Sequence, residues 1–244
     1  VNFIADVAGR YEPVKKLLAA MPQERTLFLG DLIDRGPQSR EVVELVRSKY
    51  ECLLGNHEHL FISFVRNDGK YGNTWMMNGG GATMDSYCNS SKVDAIVAGV
   101  MNEHTDWMDK LPLFVETDHV FASHAPWSAH EDFEHVQKIW LPPMALYPHE
   151  RCNPSSLIWN RRDPCLRRFK DADGLSAAPF DKVKLQVFGH NSELKPQHFN
   201  EEDDDGVTIP FAMGIDCSRA KVVTGLHVDD EFGLHKVTIY QESY

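Results

Sequence analysis

The chain has 244 residues, 42% of them hydrophobic and 25% charged, a balance that suits a soluble globular protein and is too apolar for disorder. Lys and Arg total 25 against 36 Asp and Glu, a formal net charge of −11, which argues against a general nucleic-acid or anionic-membrane binder because either would need a basic surface. An anionic substrate stays compatible, since bound divalent cations reverse a local field.

In chain order, Val1 to Ala5 reads as a buried strand. A helix follows, with Pro13 near its start and Val14, Leu17, Leu18 and Met21 at helical spacing. Thr26 to Leu29 is a second strand, Ser39 to Ser48 a second helix, Glu51 to Leu54 a third strand, and Glu58 to Arg66 a third helix. Strand alternating with helix implies right-handed crossovers and parallel strands. Trp75 to Leu111 reads as mostly helical, broken at Gly79-Gly80-Gly81. Leu113 to Glu116 and Val120 to Ser123 flank a short turn. Later strands are expected at Lys184 to Phe188, Pro210 to Ile215, Lys221 to Val228 and Leu234 to Tyr240. Between about 125 and 183 lies a proline-rich stretch with few periodic cues, expected to be an elaborated loop region over the site. Glu201 to Asp205 reads as a solvated acidic turn. No repeat or linker interrupts residues 1–244, so one domain is expected. No apolar run approaches the roughly 18 residues of a membrane span. The five cysteines are an odd number without a C-x-x-C pair, which fits a reducing, cytoplasmic location better than a disulfide framework.

The residues that end the strands carry the chemistry. The first strand runs into Asp6, the second into Gly30-Asp31, and the third into Gly55-Asn56-His57. The strand Val120 to Ser123 runs into His124, and Lys184 to Phe188 into Gly189-His190. Any one of these has a bland reading as a helix cap or a hydrogen-bonded core group. Five together, on strands whose ends converge on one rim, make a mixed oxygen and nitrogen shell for a metal such as Mn, Fe or Zn. Asp34 and Arg35 follow Asp31 closely. Asp34 paired with His57 would raise the imidazole pKa and ready it as a general acid, and Arg35 would clamp phosphate oxygens.

These motifs resemble those of the calcineurin-like metallophosphoesterases, in the phosphoprotein phosphatase branch. The segment from Gly30 to Gly36 and the segment Gly55-Asn56-His57-Glu58 resemble its second and third motifs. Asp6 to Gly9 resembles the first, His124-Ala125 the fourth and Gly189-His190 the fifth. Asn78 to Thr83, Leu111 to Leu113 and Leu157 to Arg161 resemble the small bacterial and bacteriophage members. The resemblance implies a four-layer α/β/β/α sandwich with two mixed β-sheets. It implies two divalent metal ions, manganese foremost with Fe, Zn or Ni as alternatives. Asp31 would bridge them, with Asn56, His124 and His190 completing one shell and Asp6 belonging to the other. His57 would be the general acid, Asp34 its orienting partner, and Arg35 and Arg161 the phosphoryl clamps. The implied reaction is attack on phosphorus by a metal-bound hydroxide, as in a Ser/Thr protein phosphatase. The oligomeric state is not implied.

Two positions depart from the family pattern. The first motif has histidine where this chain has Ala8, so one metal position is expected to be weakened and the activity reduced, as an engineered His→Ala change would do. Protein-directed members commonly carry arginine before Gly-Asn-His, whereas relatives that cleave dinucleoside polyphosphates carry leucine, as here with Leu54. Leu54 is either a substrate signal or an apolar strand end. The leading reading is a phosphoprotein phosphatase. The alternatives are a dinucleoside-polyphosphate or nucleotide pyrophosphohydrolase, and a phosphate-binding pseudoenzyme. Arg162, Arg167, Arg168 and Lys170 are either a solvated face or contacts to an extended anion. Trp127, Trp140, Tyr147 and Trp159 are either base-stacking or packing groups. The remaining nine histidines read as ordinary.

Overall fold

Every residue of the first strand, β1 (Asn2–Ala5), is buried, and its side chains divide between two cores. Phe3 and Ala5 enter one core, while Ile4 enters the other. A two-residue period requires this when both faces of a sheet are covered. Strand β2 (Thr26–Phe28) repeats the division, with Leu27 on one side and Phe28 on the other. So does β3 (Glu51–Cys52) with its extension, where Leu53 faces one core and Cys52 and Leu54 the other.

The computed structural model describes residues 1–66, 72–88, 95–117, 119–127, 156–161, 185–202, 208–229 and 236–244. Two five-stranded mixed sheets form the frame. In the first, β1 is parallel to β2 and β2 to β3, and β9 (Val222–Asp229) runs antiparallel to both β1 and β10 (Lys236–Ser243). The second sheet has the order β4 (Phe114–Glu116), β5 (Val120–Ser123), β6 (Leu185–Phe188), β8 (Thr208–Gly214), β7 (Gln197–Glu202). Its centre, β5-β6-β8, is parallel, and both edge strands are antiparallel. The sheets share a core of Phe3, Leu27, Leu29, Val120, Leu185, Val187, Met213 and Leu226. The other core receives the apolar stripes of α1 (Tyr11–Ala20), α2 (Ser39–Lys49), α3 (Asn56–Arg66) and α6 (Ala95–Met108). This is the α/β sandwich with two mixed sheets that the sequence implies.

Several boundaries differ from expectation. Helix α3 starts at Asn56 rather than Glu58, because the helix end is capped by acids. The backbone N–H of His57 donates to Asp31 at 3.0 Å, and that of Gly55 to Glu58 at 3.1 Å. Strand β7 is absent from the sequence reading. Its run of Gln, His, Asn and Glu carries almost no apolar signal, as suits an edge strand that pairs on one side only. Glu201 and Glu202 accordingly belong to a strand, while 203–205 lie outside the described residues. Pro210 is tolerated within β8 because pairing to β6 begins only at Ala212 and a register shift lies opposite, at Phe199/Asn200.

The glycine-broken helical region contains α4 (Gly72–Trp75), a π-helical turn Met76–Gly80 and α5 (Gly81–Tyr87). Gly79 adopts φ 107° there, a left-handed value that costs glycine little. Most of 125–183, with Arg162, Arg167, Arg168, Lys170, Trp140 and Tyr147, lies outside the described residues, apart from 125–127 and α7 (Ser156–Trp159) with its two following residues. No helix among the described residues is long and apolar enough to cross a membrane.

Phe61 is fully buried between Trp75 and Tyr87, with ring centroids at 5.3 and 5.9 Å. Phe61→Ala should lower unfolding free energy by about 3–5 kcal/mol in urea titrations followed by circular dichroism. Phe61→Leu, which leaves a smaller void, should cost less.

Candidate active site

The parallel strands bring their C-terminal ends to one rim, and the backbone turns sharply as it leaves them. Asp6 (φ 50°), Ala8 (45°), Asp31 (53°), Asp34 (73°), Arg35 (59°) and His190 (61°) all lie in the left-handed region. Such a conformation costs a non-glycine residue roughly 1–2 kcal/mol. Lys221 is the single other described non-glycine case, so the strain is concentrated at this rim, as it commonly is at functional sites. Gly30, at φ 88°, passes so close to Gly55 that a Cβ on Gly30 would stand 2.5 Å from the Gly55 nitrogen. The second and third motifs therefore touch backbone to backbone.

Glu58 braces this contact from inside. Its carboxylate accepts the backbone N–H of Asp31 and of Leu32, each at 2.8 Å, as well as that of Gly55. Burial, reinforced by repulsion from Asp31, pushes Glu58 up to about 7. Burial acts on Asp31 in the same direction, but the imidazoles of His124, His57 and His190 together outweigh it and hold Asp31 at about 2.

Asp31 is the hub of the predicted ligands. Its Oδ1 lies 3.4 Å from Nε2 of His124. One ligand atom each from Asp6, Asp31 and His124 fall within 4.8 Å of one another. Asp6 accepts the backbone N–H of His190 at 3.0 Å. Asn56 Oδ1 stands 2.9 Å from His124 Nε2 and 2.9 Å from His190 Nδ1. The structure thus brings Asp6, Asp31, Asn56, His124 and His190 together.

These residues fit a cation. His124 Nδ1 sits 2.7 Å from the carbonyl of Leu29, and a carbonyl only accepts, so Nδ1 carries the proton and Nε2 a lone pair. Burial depresses the His124 pKa, which keeps the ring neutral. That lone pair then faces the oxygens of Asn56 and Asp31, all acceptors, with no proton between them. A carbonyl-fixed tautomer with the other nitrogen aimed at acids is the arrangement of a metal-ligating histidine. Burial, and then the neighbouring His124, push His190 down to about 3, and its buried Nε2 has no hydrogen-bond partner. Ala8 lies on the same rim with its backbone N–H bonded to Asp31 O at 2.9 Å. Its methyl group offers no donor, so beside Asp31 the Asp6 side presents Asp6 alone, against Asn56, His124 and His190 on the other side.

Beside this cluster, Asp34 has no solvent exposure and is held from three directions. Trp75 Nε1–H reaches both its oxygens, at 3.0 and 3.1 Å, and Thr83 donates to Oδ1 at 2.6 Å. The Asp34 backbone N–H donates to the hydroxyls of Thr83 and Ser39. So fixed, Asp34 accepts from His57 Nδ1 at 2.6 Å. The other nitrogen, Nε2, receives Arg35 at 3.1 Å and lies 3.7 Å from Asp31. Burial opposes charge on His57, but Asp31 and Asp34 together raise its pKa above 6.5. Arg35 and Arg161 are solvent-exposed on the rim, and the charge of Arg161 is felt at His190.

Asp216 was not among the expected site residues. It is buried, two residues beyond the end of β8, and its charge raises Asp6 and is felt at His124. The signal was present, because Pro210 to Ile215 is one more apolar run that leads into a residue of a type able to ligate a metal. Glu58, Trp75 and Thr83 were likewise missed, as their roles depend on contacts far apart in sequence.

Other candidates are ordinary. Leu54 is buried in the helix-side core and its backbone N–H bonds Pro112 O at 2.9 Å, so it completes an apolar strand end. Trp127 is buried, while Trp159 stands edge-on to His190 and His59. His104 is a core histidine between Tyr87 and Glu44. Cys52 and Cys217 are buried free thiols, and Cys152 and Cys165 lie outside the described residues.

A model of the calcineurin-like phosphoesterase family matches residues 1–192. A Chromobacterium violaceum protein named symmetrical bis(5'-nucleosyl)-tetraphosphatase is 39% identical over 74 residues, which is 28% of this chain and 27% of that protein. A Caenorhabditis elegans protein, "Putative serine/threonine-protein phosphatase", is 35% identical over 68 residues, 24% of this chain and 19% of that one. The matched stretches thus span between 19% and 27% of these relatives' own length. A solved metallophosphoesterase from Sphaerobacter thermophilus covers 100% of this chain and 89% of its own at TM-score 0.52 and 16% identity, a likeness of fold.

In the metal-free chain, NMR titration should place the His57 pKa above 6.5. Asp34→Asn should lower it, since the amide cannot stabilise the imidazolium as a carboxylate does. A folded-state value above the unfolded one means that the stabilisation from His57 is complete below pH 6.5 and fades as pH rises through the folded value. The stability gap between the parent chain and Asp34→Asn should therefore narrow between pH 6 and pH 9 in urea unfolding.

Proposed function

This chain belongs to the calcineurin-like phosphoesterase family, and from that premise we propose that it hydrolyses phosphate esters with His57 as the acid that protonates the leaving group. One observation carries this reading: the 2.6 Å bond from His57 Nδ1 to an Asp34 carboxylate that is itself immobilised and dry.

Asp6, Asp31, Asn56, His124 and His190 would hold two divalent cations, manganese foremost with Fe, Zn or Ni as alternatives, and the cations would supply Lewis-acid activation and charge neutralisation at phosphorus. Arg35 and Arg161 bind the phosphoryl oxygens through their guanidinium groups, whose paired donors match that geometry. When Arg35 turns to phosphate it leaves His57 Nε2, which is then open to carry a proton. Nδ1 stays on Asp34, so the ring keeps its orientation while Nε2 faces the departing oxygen. Asp34 steadies the cationic ring, and Trp75 and Thr83 keep Asp34 from following it. Proton donation matters most for a poor leaving group such as a serine alkoxide.

The substrate we favour is a phosphoserine or phosphothreonine in a protein, which the segments Asn78 to Thr83 and Leu157 to Arg161 suggest by resemblance. A dinucleoside polyphosphate is the second reading. It draws support from Leu54, which supplies no cation at the end of β3, and from the name of the bacterial relative. Ala8 is read as weakening the Asp6 position and with it the activity.

Two assays with added Mn²⁺ test these points. His57→Asn should slow phosphopeptide hydrolysis by about 10²–10⁴-fold, and slow p-nitrophenyl phosphate much less, because nitrophenolate leaves without a proton. Equal losses on both esters would remove the general-acid role. Ala8→His should raise turnover about a hundredfold or more, worth about 2.7 kcal/mol of barrier. Faster cleavage of diadenosine tetraphosphate than of phosphopeptide would establish the second reading.

A further inference from the structure

One buried carboxylate on the rim has no place in the chemistry above. Strands β6 and β8 are parallel, with Phe188 opposite Gly214. Their pairing continues past the strand ends through Ile215 N–H to Phe188 O at 2.8 Å. Asp216 therefore holds the rank after β8 that His190 holds after β6. Its side chain is 3% exposed and accepts the Ser218 backbone N–H at 2.9 Å. Among the described residues no Lys or Arg forms an ion pair with it. A buried carboxylate without a cation is costly, and the groups it acts on electrostatically include Asp6, Asp31 and His124, besides Cys217 and Tyr244.

Two further observations point to a ligand at the same rim. The buried Nε2 of His190 lacks a partner, although the backbone N–H of the same residue is bonded to Asp6. The lone pair of His124 also faces two oxygens without a proton between them. Ala8, meanwhile, removes a nitrogen donor from the Asp6 side.

We propose that Asp216 takes over from the imidazole missing at Ala8, so that the metal position built on Asp6 and Asp31 is an oxygen-only site for a hard, water-retaining cation. Asp216 lies outside the tight Asp6–Asp31–His124 group, so it engages such a cation through one of the cation's waters. Mg²⁺ and Mn²⁺ accept carboxylates and retained water, whereas Zn²⁺ favours the imidazoles of the neighbouring position made by Asn56, His124 and His190. The two halves of the centre thereby differ in metal preference. This rests on reading the rim as a metal centre.

Equilibrium dialysis of the metal-stripped full chain against Mn²⁺ alone, and against Zn²⁺ alone, with metal content measured by mass spectrometry, tests the proposal without an activity assay. Two Mn²⁺ should bind with separate affinities, and Zn²⁺ should fill one position only. Asp216→Asn should weaken the second Mn²⁺ about tenfold or more while leaving the first unchanged. Ala8→His should admit a second Zn²⁺. Two Mn²⁺ bound with parental affinities by folded Asp216→Asn would overturn the proposal and leave the metal centre standing. If Asp216→Asn does not fold, two equally tight Zn²⁺ in the parent chain overturn it instead. No metal bound at all would sink both this inference and the metal-centre reading beneath it.

Discussion

Five carboxyl groups, Asp6, Asp31, Asp34, Glu58 and Asp216, are buried along one rim of the sandwich, none more than 8% exposed. Each would be far better solvated in water, so each needs a local substitute for solvent. Glu58 has three backbone N–H groups and Asp34 has an indole, a hydroxyl and an imidazole. Asp31 has the surrounding imidazoles, which outweigh its burial. Burial pushes Asp6 and Asp216 upward as well, with repulsion from Asp216 and Asp31 added at Asp6 and repulsion from Asp31 added at Asp216.

The geometry of the frame explains why this burden can be carried. Parallel strands from both sheets deliver their ends to the same edge, and the chain leaves β1, β2 and β6 through left-handed turns at Asp6, Asp31 and His190. Six non-glycine residues in that conformation could not persist on a mobile loop. They persist here because the backbone around them is over-determined. Glu58 ties the loop after β2 to the start of α3, the Gly30–Gly55 contact ties β2 to β3, and the Asp6–His190 bond ties the first sheet to the second. Packing of Phe61, on α3, against Trp75 holds the helix, and with it Asn56 and His57, in register.

Much of this was legible in the sequence because strands buried on both faces are written as unbroken apolar runs. The residue that ends each run, as at Phe28–Leu29 before Gly30-Asp31, then stands out by contrast. The same contrast marks Asp216 after Ile215, and reading it there would have added a fourth carboxyl group. Edge strand β7 left no such mark, since Gln197, His198, Asn200, Glu201 and Glu202 look like a loop when only backbone pairing on one side makes them a strand. The supports of Asp34 were equally silent. Trp75 and Thr83 lie more than 40 positions away from it, and nothing local in their surroundings anticipates a hydrogen bond to a carboxylate.

The close approach of Gly30 and Gly55 restricts how such a chain can diverge. A side chain on either residue would strike backbone, or the buried acids Asp31 and Glu58, and not a flexible side-chain tip. Damage at a packed position is often repaired by shrinking the neighbour, but here the neighbour of Gly30 is already the smallest residue. Neither member of the pair has a compensating partner substitution, so variation must pass around both positions together. Drift is left to outer surfaces and long insertions, where a lineage is free to change what it recognises while the rim beneath stays fixed.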